Sequence, residues 1–273
     1  MKEKLKNMKE KLKNNKNKLN KIIFSKFVKE NFDFSCCEIK RKYIHSLKVA
    51  NICLKLSKKL SLNKNLSYAL GLLHDYARFL QFTEYKTFSD FTSFDHGEMA
   101  CKLLFEENQI ANFDIEQSLY PVLYVAIYLH NKKDVDLKFI KNYLEGHPCP
   151  MPFEEVLKFV HLIRDADKID ILRVITEKDF QIENTLDGIT PTLKKEVEKF
   201  KPPSKKYSKT KLDTMVIQLS FLYNLYFKES QKFLSLNKFL KVYLAKYLKI
   251  LNPTDQAFLL KHIEDIKEFL KKK

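Results

Sequence analysis

Four glycines stand in a chain of 273 residues, and this scarcity constrains the fold more than any other feature. The tight hairpins of a sheet and the loops that wrap phosphates both call on glycine for positive φ. Neither a Gly-rich dinucleotide fingerprint nor a phosphate loop is present. Long stretches rich in Leu, Lys, Glu and Ile, with few breakers, favour helix instead. Many segments place apolar residues at the spacing of three and four that marks an amphipathic helix. The expectation is an all-α protein. With 45% hydrophobic and 13% aromatic residues, it has the material for a sizeable core and lacks the composition of a disordered chain. The longest apolar run, Leu119–Leu129, falls short of the roughly 18 residues that span a bilayer, so no membrane span is expected. The Lys-rich N-terminus has no apolar stretch of the kind a signal peptide carries. Five cysteines without a CxxC pair fit reduced thiols rather than a disulfide scaffold or a zinc ribbon. The expected location is the cytoplasm.

The formal charge of +16 is unevenly placed. Residues 1–22 hold nine Lys against two Glu, and residues 192–211 hold eight Lys against two Glu. Residues 23–191 are close to neutral, with 22 basic and 24 acidic side chains. Solvated Lys-rich faces account for such ends; the sharper alternative is contact with a polyanion or a membrane surface. Only Arg41, Arg78, Arg164 and Arg173 are arginine among 50 basic residues, and all four lie in the neutral middle. Where Lys is the default, an Arg marks a place that wants a planar, permanently charged fork for phosphate or carboxylate.

Residues 1–7 repeat identically as residues 8–14, and with Leu19 they read as a short, basic, amphipathic helix that Asn15 interrupts, a frayed appendage to the core, with a coiled-coil or partner helix as the alternative. Helices are expected over about 38–60, 66–80, 115–130, 134–144 and 153–175, and again near 211–229, 231–250 and 254–271. Asp95 and Glu98 form a capping-box pattern around His96. Gly146 to Pro152 and Lys201 to Ser204 are breaker clusters, hence loops. The expected domains are a basic N-terminal helical segment (1–30), a central domain (31–190) and a C-terminal helical extension (191–273).

Within the middle, His74 and Asp75 sit in the apolar string Leu70–Phe79. A carboxylate there costs several kcal/mol unless it is paired or bound to metal, and an internally satisfied His–Asp pair is the plainer alternative. Gly71, one turn earlier, would let a second helix come close. In the segment 153–175, Val156, Val160, Ile163, Asp167 and Asp170 are spaced 4, 3, 4, 3, which puts Asp167 on the apolar stripe. Asp165 points away by about 200° and pairs with His161 on the expected polar face.

These residues resemble the HD-domain superfamily of metal-dependent phosphohydrolases. The resemblance rests on His45 in His45-Ser46-Leu47-Lys48-Val49-Ala50, on Leu72-Leu73-His74-Asp75-Tyr76-Ala77-Arg78-Phe79, on Asp95-His96-Gly97-Glu98, and on Ile163-Arg164-Asp165-Ala166-Asp167-Lys168-Ile169-Asp170. It covers roughly residues 38–180 and is a similarity to a bacterial subgroup of HD proteins; the C-terminal helices look like the extension of that subgroup. It implies a helical bundle with His45, His74, Asp75 and Asp167 as ligands of a divalent metal (Mn, Fe, Mg, Ni, Co or Zn). His96 and His130 match histidines that in some branches hold a second metal bridged by the HD aspartate; contact with substrate phosphate or helix capping is the alternative. One or two ions per chain are therefore expected, with two favoured. His147 and His262 are not expected to be ligands, His147 because it lies in the Pro-rich loop and His262 because it is placed in a surface helix.

The implied activity is hydrolysis of a phosphate mono- or diester, a nucleotide being the expected substrate class, by metal-activated water. Catalytic roles fall to Asp75, Arg78 and Lys168, and phosphate binding to Arg41, Arg78, Arg164 and Lys168. The basic ends leave nucleic acid open as a further partner. A non-catalytic, metal-stabilised binding module is the alternative from another class; a nuclease or cyclic-nucleotide phosphodiesterase is the alternative among enzymes. Alarmone hydrolases of the superfamily carry an acidic pair three and four residues after the HD aspartate, where this chain has Arg78 and Phe79, and the 5′-nucleotidase branch wants an acid there too. A GYP-type motif for cyclic dinucleotides is absent. Tyr76-Ala77-Arg78 is similar to HD proteins that cleave dinucleoside polyphosphates, whereas Asp167-Lys168-Ile169-Asp170 departs from that group. The substrate stays open.

Overall fold

A computed structural model describes residues 15–177 and 188–272. The protein is helical, with no strand among these residues. The repeat in residues 1–14 lies outside them. The chain divides into two compact units, Met1–Ala166 and Asp167–Lys273.

The first unit opens with α1 (Lys16–Asn31), which Asn15 caps by accepting from the Lys18 N–H. Leu19, expected in a frayed appendage, is instead seated in the core with Ile23, Phe24 and Val28 of α1. Their spacing of four, one and four makes one apolar stripe. Asn20 also exchanges two hydrogen bonds with the backbone of Asp114. The Lys-rich composition hid a stripe that is short but complete.

Helix α2 (Cys37–Leu60) ends at Ser61 in the left-handed region (φ 55°), and Asn63 caps α3 (Lys64–Leu73) through the Asn65 and Leu66 N–H groups. The three-residue turn folds α3 back along α2. Gly71 is what permits the contact: a Cβ there would lie 2.6 Å from the Ala50 Cα and 2.9 Å from the Val49 carbonyl oxygen. The expected helix over 66–80 is two helices. The first ends at Leu73, residues 74–77 are turns, and α4 spans Arg78–Tyr85. His74 and Asp75 thus occupy a break, where side chains leave the backbone in directions a straight helix does not offer.

Asp95 caps α5 (His96–Cys101) by accepting from Gly97 and Glu98 N–H. Glu98 does not return the bond; it takes an ammonium hydrogen from Lys132 at 2.6 Å. A π-helical turn (Lys102–Glu106) and two short 3₁₀ turns lead to α6 (Tyr120–Leu129), whose Pro121 stands in the first turn. Then come α7 (Leu137–Gly146) and α8 (Phe153–Val174).

The second unit holds α9 (Pro191–Val197), α10 (Lys211–Leu219), α11 (Lys228–Phe233), α12 (Leu236–Tyr247) and α13 (Pro253–Lys272); α13 matches the helix expected over 254–271, while those expected over 211–229 and 231–250 are broken into shorter pieces. Leu212, Met215, Val216, Leu219, Tyr243, Leu259, Ile263 and Ile266 are buried. Two buried carboxylates hold its entry. Asp213 accepts from Thr190, Lys209 and Thr210 N–H, and Asp255 accepts from Ile189 N–H and pairs with Lys194 at 2.5 Å. His262 is not on a surface: it is 1% exposed and hydrogen-bonded to Ser220 Oγ (3.2 Å) and Tyr223 OH (3.4 Å). The charged residues flanking it belong to the outer face of α13, while His262 shares the stripe of Leu259, Ile263 and Ile266.

Candidate metal centre

Asp75 is 3% exposed and surrounded by imidazoles. Its Oδ2 lies 3.3 Å from His74 Nε2 and 3.4 Å from His45 Nε2. Its Oδ1 lies 3.4 Å from His96 Nε2 and 3.7 Å from His130 Nε2. Each oxygen therefore faces its own pair of nitrogens. His45 comes from the buried face of α2, His74 and Asp75 from the break after α3, His96 from the start of α5, and His130 from the end of α6. Among the described residues, two sets of ligand atoms fall within 4.8 Å of one another: His45, His74 and Asp167, and His74, Asp75 and His130.

The proton positions follow from what the other ring nitrogens meet. His74 Nδ1 is 2.9 Å from the Gly71 carbonyl oxygen and His130 Nδ1 is 2.6 Å from that of Ile127. His96 Nδ1 is 2.8 Å from a carboxylate oxygen of Asp90. Carbonyls and carboxylates only accept, so each Nδ1 carries hydrogen and each ring turns Nε2 inward. Burial, then the Arg78 guanidinium, lowers the His96 pKa to about 3, so this ring is neutral at pH 7. His96 Nε2 and His130 Nε2 are 3.0 Å apart. At that distance a proton or a cation has to be shared between them. The donor set is nitrogen and carboxylate oxygen, the chemistry of Mn, Fe, Co, Ni or Zn rather than of a soft-metal thiolate site. The residues present fit a metal.

Asp75 is ionised. Burial works against the charge, but the Lys42 ammonium and the His74 ring more than reverse it and hold the pKa well below the ordinary carboxylate value. Lys42 Nζ is 2.5 Å from Asp75 Oδ2 and lies over the Phe88 ring. The sequence reading missed Lys42. On α2 both the third and the fourth residue before His45 share its face, and the preference for a fork picked Arg41, which is exposed.

The other arginines make hydrogen bonds within the fold. Arg78, 8% exposed, donates from Nη1 to Gln81 Oε1, the Phe88 carbonyl and Asp90 Oδ1, and its Nε faces Asp75 Oδ1 at 3.6 Å. Arg164 donates to the carbonyls of Leu129, Lys132 and Lys133, so it closes the C-terminal end of α6 beside His130. Arg173 grips the buried Asp170 through Nε and Nη2. Lys168 is half-buried next to Asp167 on α8.

On α8 the buried positions differ from the faces that periodicity predicts. Asp165 is fully buried, Asp167 is half-buried and His161 is half-buried, so His161 and Asp165 are no surface pair. Residues 162–166 are all buried, and five consecutive positions cover the full circumference of a helix. A helix enclosed on every side has no polar face to separate from an apolar one. Asp167 nevertheless brings a ligand atom to His45 and His74. His147 is exposed and stacked on Tyr143 (4.3 Å). Asp90 and Asn131 were missed as well. Asn131 donates to Asp95 Oδ1, and no local pattern in the sequence places either residue at the histidines.

A family model described as HD domain matches residues 43–172. The chain carries an HD domain. The match begins two residues before His45 and ends five residues after Asp167, so it takes in the four histidines around Asp75, while Lys42 lies one residue before it. The family consists mostly of metal-dependent phosphohydrolases. No curated protein and no solved structure matches the chain.

Proposed function

We propose that the HD domain is a divalent-metal-dependent phosphohydrolase that cleaves a phosphate mono- or diester, with a nucleotide as the substrate class. The observation that carries this reading is the Asp75 carboxylate with two imidazole nitrogens on each oxygen, 3.3–3.7 Å away. His45, His74, Asp75 and Asp167 would hold one ion; His96, His130 and the other oxygen of Asp75 would hold a second. When bound, divalent ions lower the pKa of a coordinated water toward 7 and polarise a phosphoryl oxygen. Asp75 would ligate the ion and orient the attacking water, at a centre whose four histidines are buried. Lys42, at the edge of the site with its side chain 20% exposed, together with Arg41 and Lys168, supplies positive charge for phosphate oxygens. Arg78 and Arg164 fix the walls.

The test is phosphate release from a panel of nucleotides and simple phosphate esters, with and without Mn²⁺, comparing the protein with Asp75→Ala. Metal-dependent release that Asp75→Ala abolishes is expected. Salt-sensitive nucleic-acid binding with no turnover of any ester would replace the enzyme reading with a binding module.

A further inference from the structure

We infer that Asp90 is a positioning residue: it fixes the ring of His96 with Nε2 directed at Asp75, and it couples that ring to the loop of residues 86–95. The inference rests on the metal-centre reading above and extends it.

The histidines at the site reach their orientation by different means. His74 and His130 follow helices, and each rests Nδ1 on a carbonyl of its own helix three residues back, at Gly71 and Ile127. His96 is the first residue of α5, so no preceding turn exists to offer it a carbonyl. Its Nδ1 is met instead by a carboxylate six residues earlier, with Asp90 Oδ1 at 2.9 Å and Oδ2 at 2.8 Å. A carboxylate behind an imidazole fixes the tautomer and raises the basicity of the far nitrogen, which here lies 3.4 Å from Asp75 Oδ1 and 3.0 Å from His130 Nε2.

Asp90 is itself held. Its Oδ1 accepts from Arg78 Nη1 (2.8 Å) and Gln81 Nε2 (3.1 Å), both on α4, and its Oδ2 accepts from Asn131 Nδ2 at 3.4 Å. Gln81 Nε2 also donates to Ser93 Oγ and to the Phe94 carbonyl, and Arg78 Nη1 to the Phe88 carbonyl. Residues 88–94 are thereby tied to the helix that begins three residues after Asp75. The loop exposes the Phe91 ring almost completely (98%) immediately beside Asp90. A carboxylate that were only a helix cap or a surface ion pair would not bind a ring nitrogen, a guanidinium and an amide from three separate segments. Asp95, which does cap α5, makes no contact with the His96 ring among the hydrogen bonds of this site.

Two readouts test this in the full chain. The first is the ¹⁵N shift of the His96 ring in metal-free protein at pH 7. The second is the binding of Mn²⁺, measured by titration and by metal content after gel filtration. In wild type, His96 is expected as the Nδ1–H tautomer; in Asp90→Ala it becomes a mixture, and affinity for the weaker Mn²⁺ falls by roughly 10–100-fold while the tighter ion is retained. Asp90→Asn keeps an acceptor for Arg78 and stands in should the alanine variant fail to fold; its metal affinity is expected to lie between the two. Easier proteolytic cleavage within residues 86–95 in the variants would support the coupling to the loop. An unchanged tautomer and unchanged Mn²⁺ binding in Asp90→Ala, or in Asp90→Asn if only that variant folds, would overturn the proposal. If wild type binds no metal while the tautomer still shifts, Asp90 keeps its role and the metal-centre reading falls.

Discussion

Asp165 and Asp167 show what a single carboxylate reveals in a sequence and what it hides. Asp167 was legible because the resemblance placed it among the ligands; Asp165 was misjudged because helical periodicity assumes one face in water. Fully buried, Asp165 belongs to the packing of α8, and Asp165→Asn is expected to destabilise the fold by about 1–3 kcal/mol, the cost of disturbing a buried charged hydrogen-bonding group. Asp167→Asn is expected to leave the melting temperature of metal-free protein nearly unchanged and to weaken metal binding. Thermal melts and Mn²⁺ titrations of the two variants separate these effects; equal losses of affinity would remove the distinction. His262 carries a pH prediction. Burial lowers its pKa from 6.5 to about 4, so between those values the unfolded chain holds a proton that the folded chain does not. Stability from this group is complete above pH 6.5 and lost as the pH falls toward 4, on the order of 3 kcal/mol. Denaturant midpoints at pH 7 and pH 4.5 should fall less in His262→Gln than in wild type; parallel falls would show that His262 is not buried neutral. Lys42 and Asp90 were out of reach for a different reason: one required knowing which of two adjacent basic residues faces inward, and the other required a loop conformation.

At the level of elements, helix content was plain from the missing glycines and the apolar spacing, and the limits of α2 and α8 were read closely. Breaks were harder. Nothing in Leu72–Phe79 is a helix breaker, yet the helix stops at Leu73 and resumes at Arg78, because tertiary demands on His74 and Asp75 outweigh propensity. Gly71 was read correctly as a point of close approach. Gly71→Ala sets two effects against each other. Replacing a helical glycine gains up to about 1 kcal/mol, whereas a Cβ 2.6 Å from the backbone of α2 forces a shift costing typically 1–3 kcal/mol. The neighbour is backbone in the middle of a long helix and cannot turn aside, so the clash wins. The variant is expected to melt lower than wild type and, since the Gly71 carbonyl orients His74, to bind metal more weakly. A melting temperature at or above that of wild type would mean α2 and α3 have slack.

For the molecule as a whole, four histidines from different elements, separated by as many as 85 residues in sequence, meet on one aspartate. Periodicity alone assembles none of this, because spacing along a helix says which face a residue occupies and not which other helix that face meets. The resemblance supplied the set, and the coordinates supply its division into two pairs on the two oxygens of Asp75. The second unit was legible as helical, but its short helices and buried His262 were not, since Lys-rich outer faces mask the apolar stripes beneath. The central claim is that Asp75 bridges two ion positions, and metal stoichiometry tests it directly. The full chain, loaded with Mn²⁺ and passed through gel filtration, is predicted to retain two ions, and His96→Ala with His130→Ala is predicted to retain one. No retained metal in wild type, or the same stoichiometry in both proteins, would contradict it.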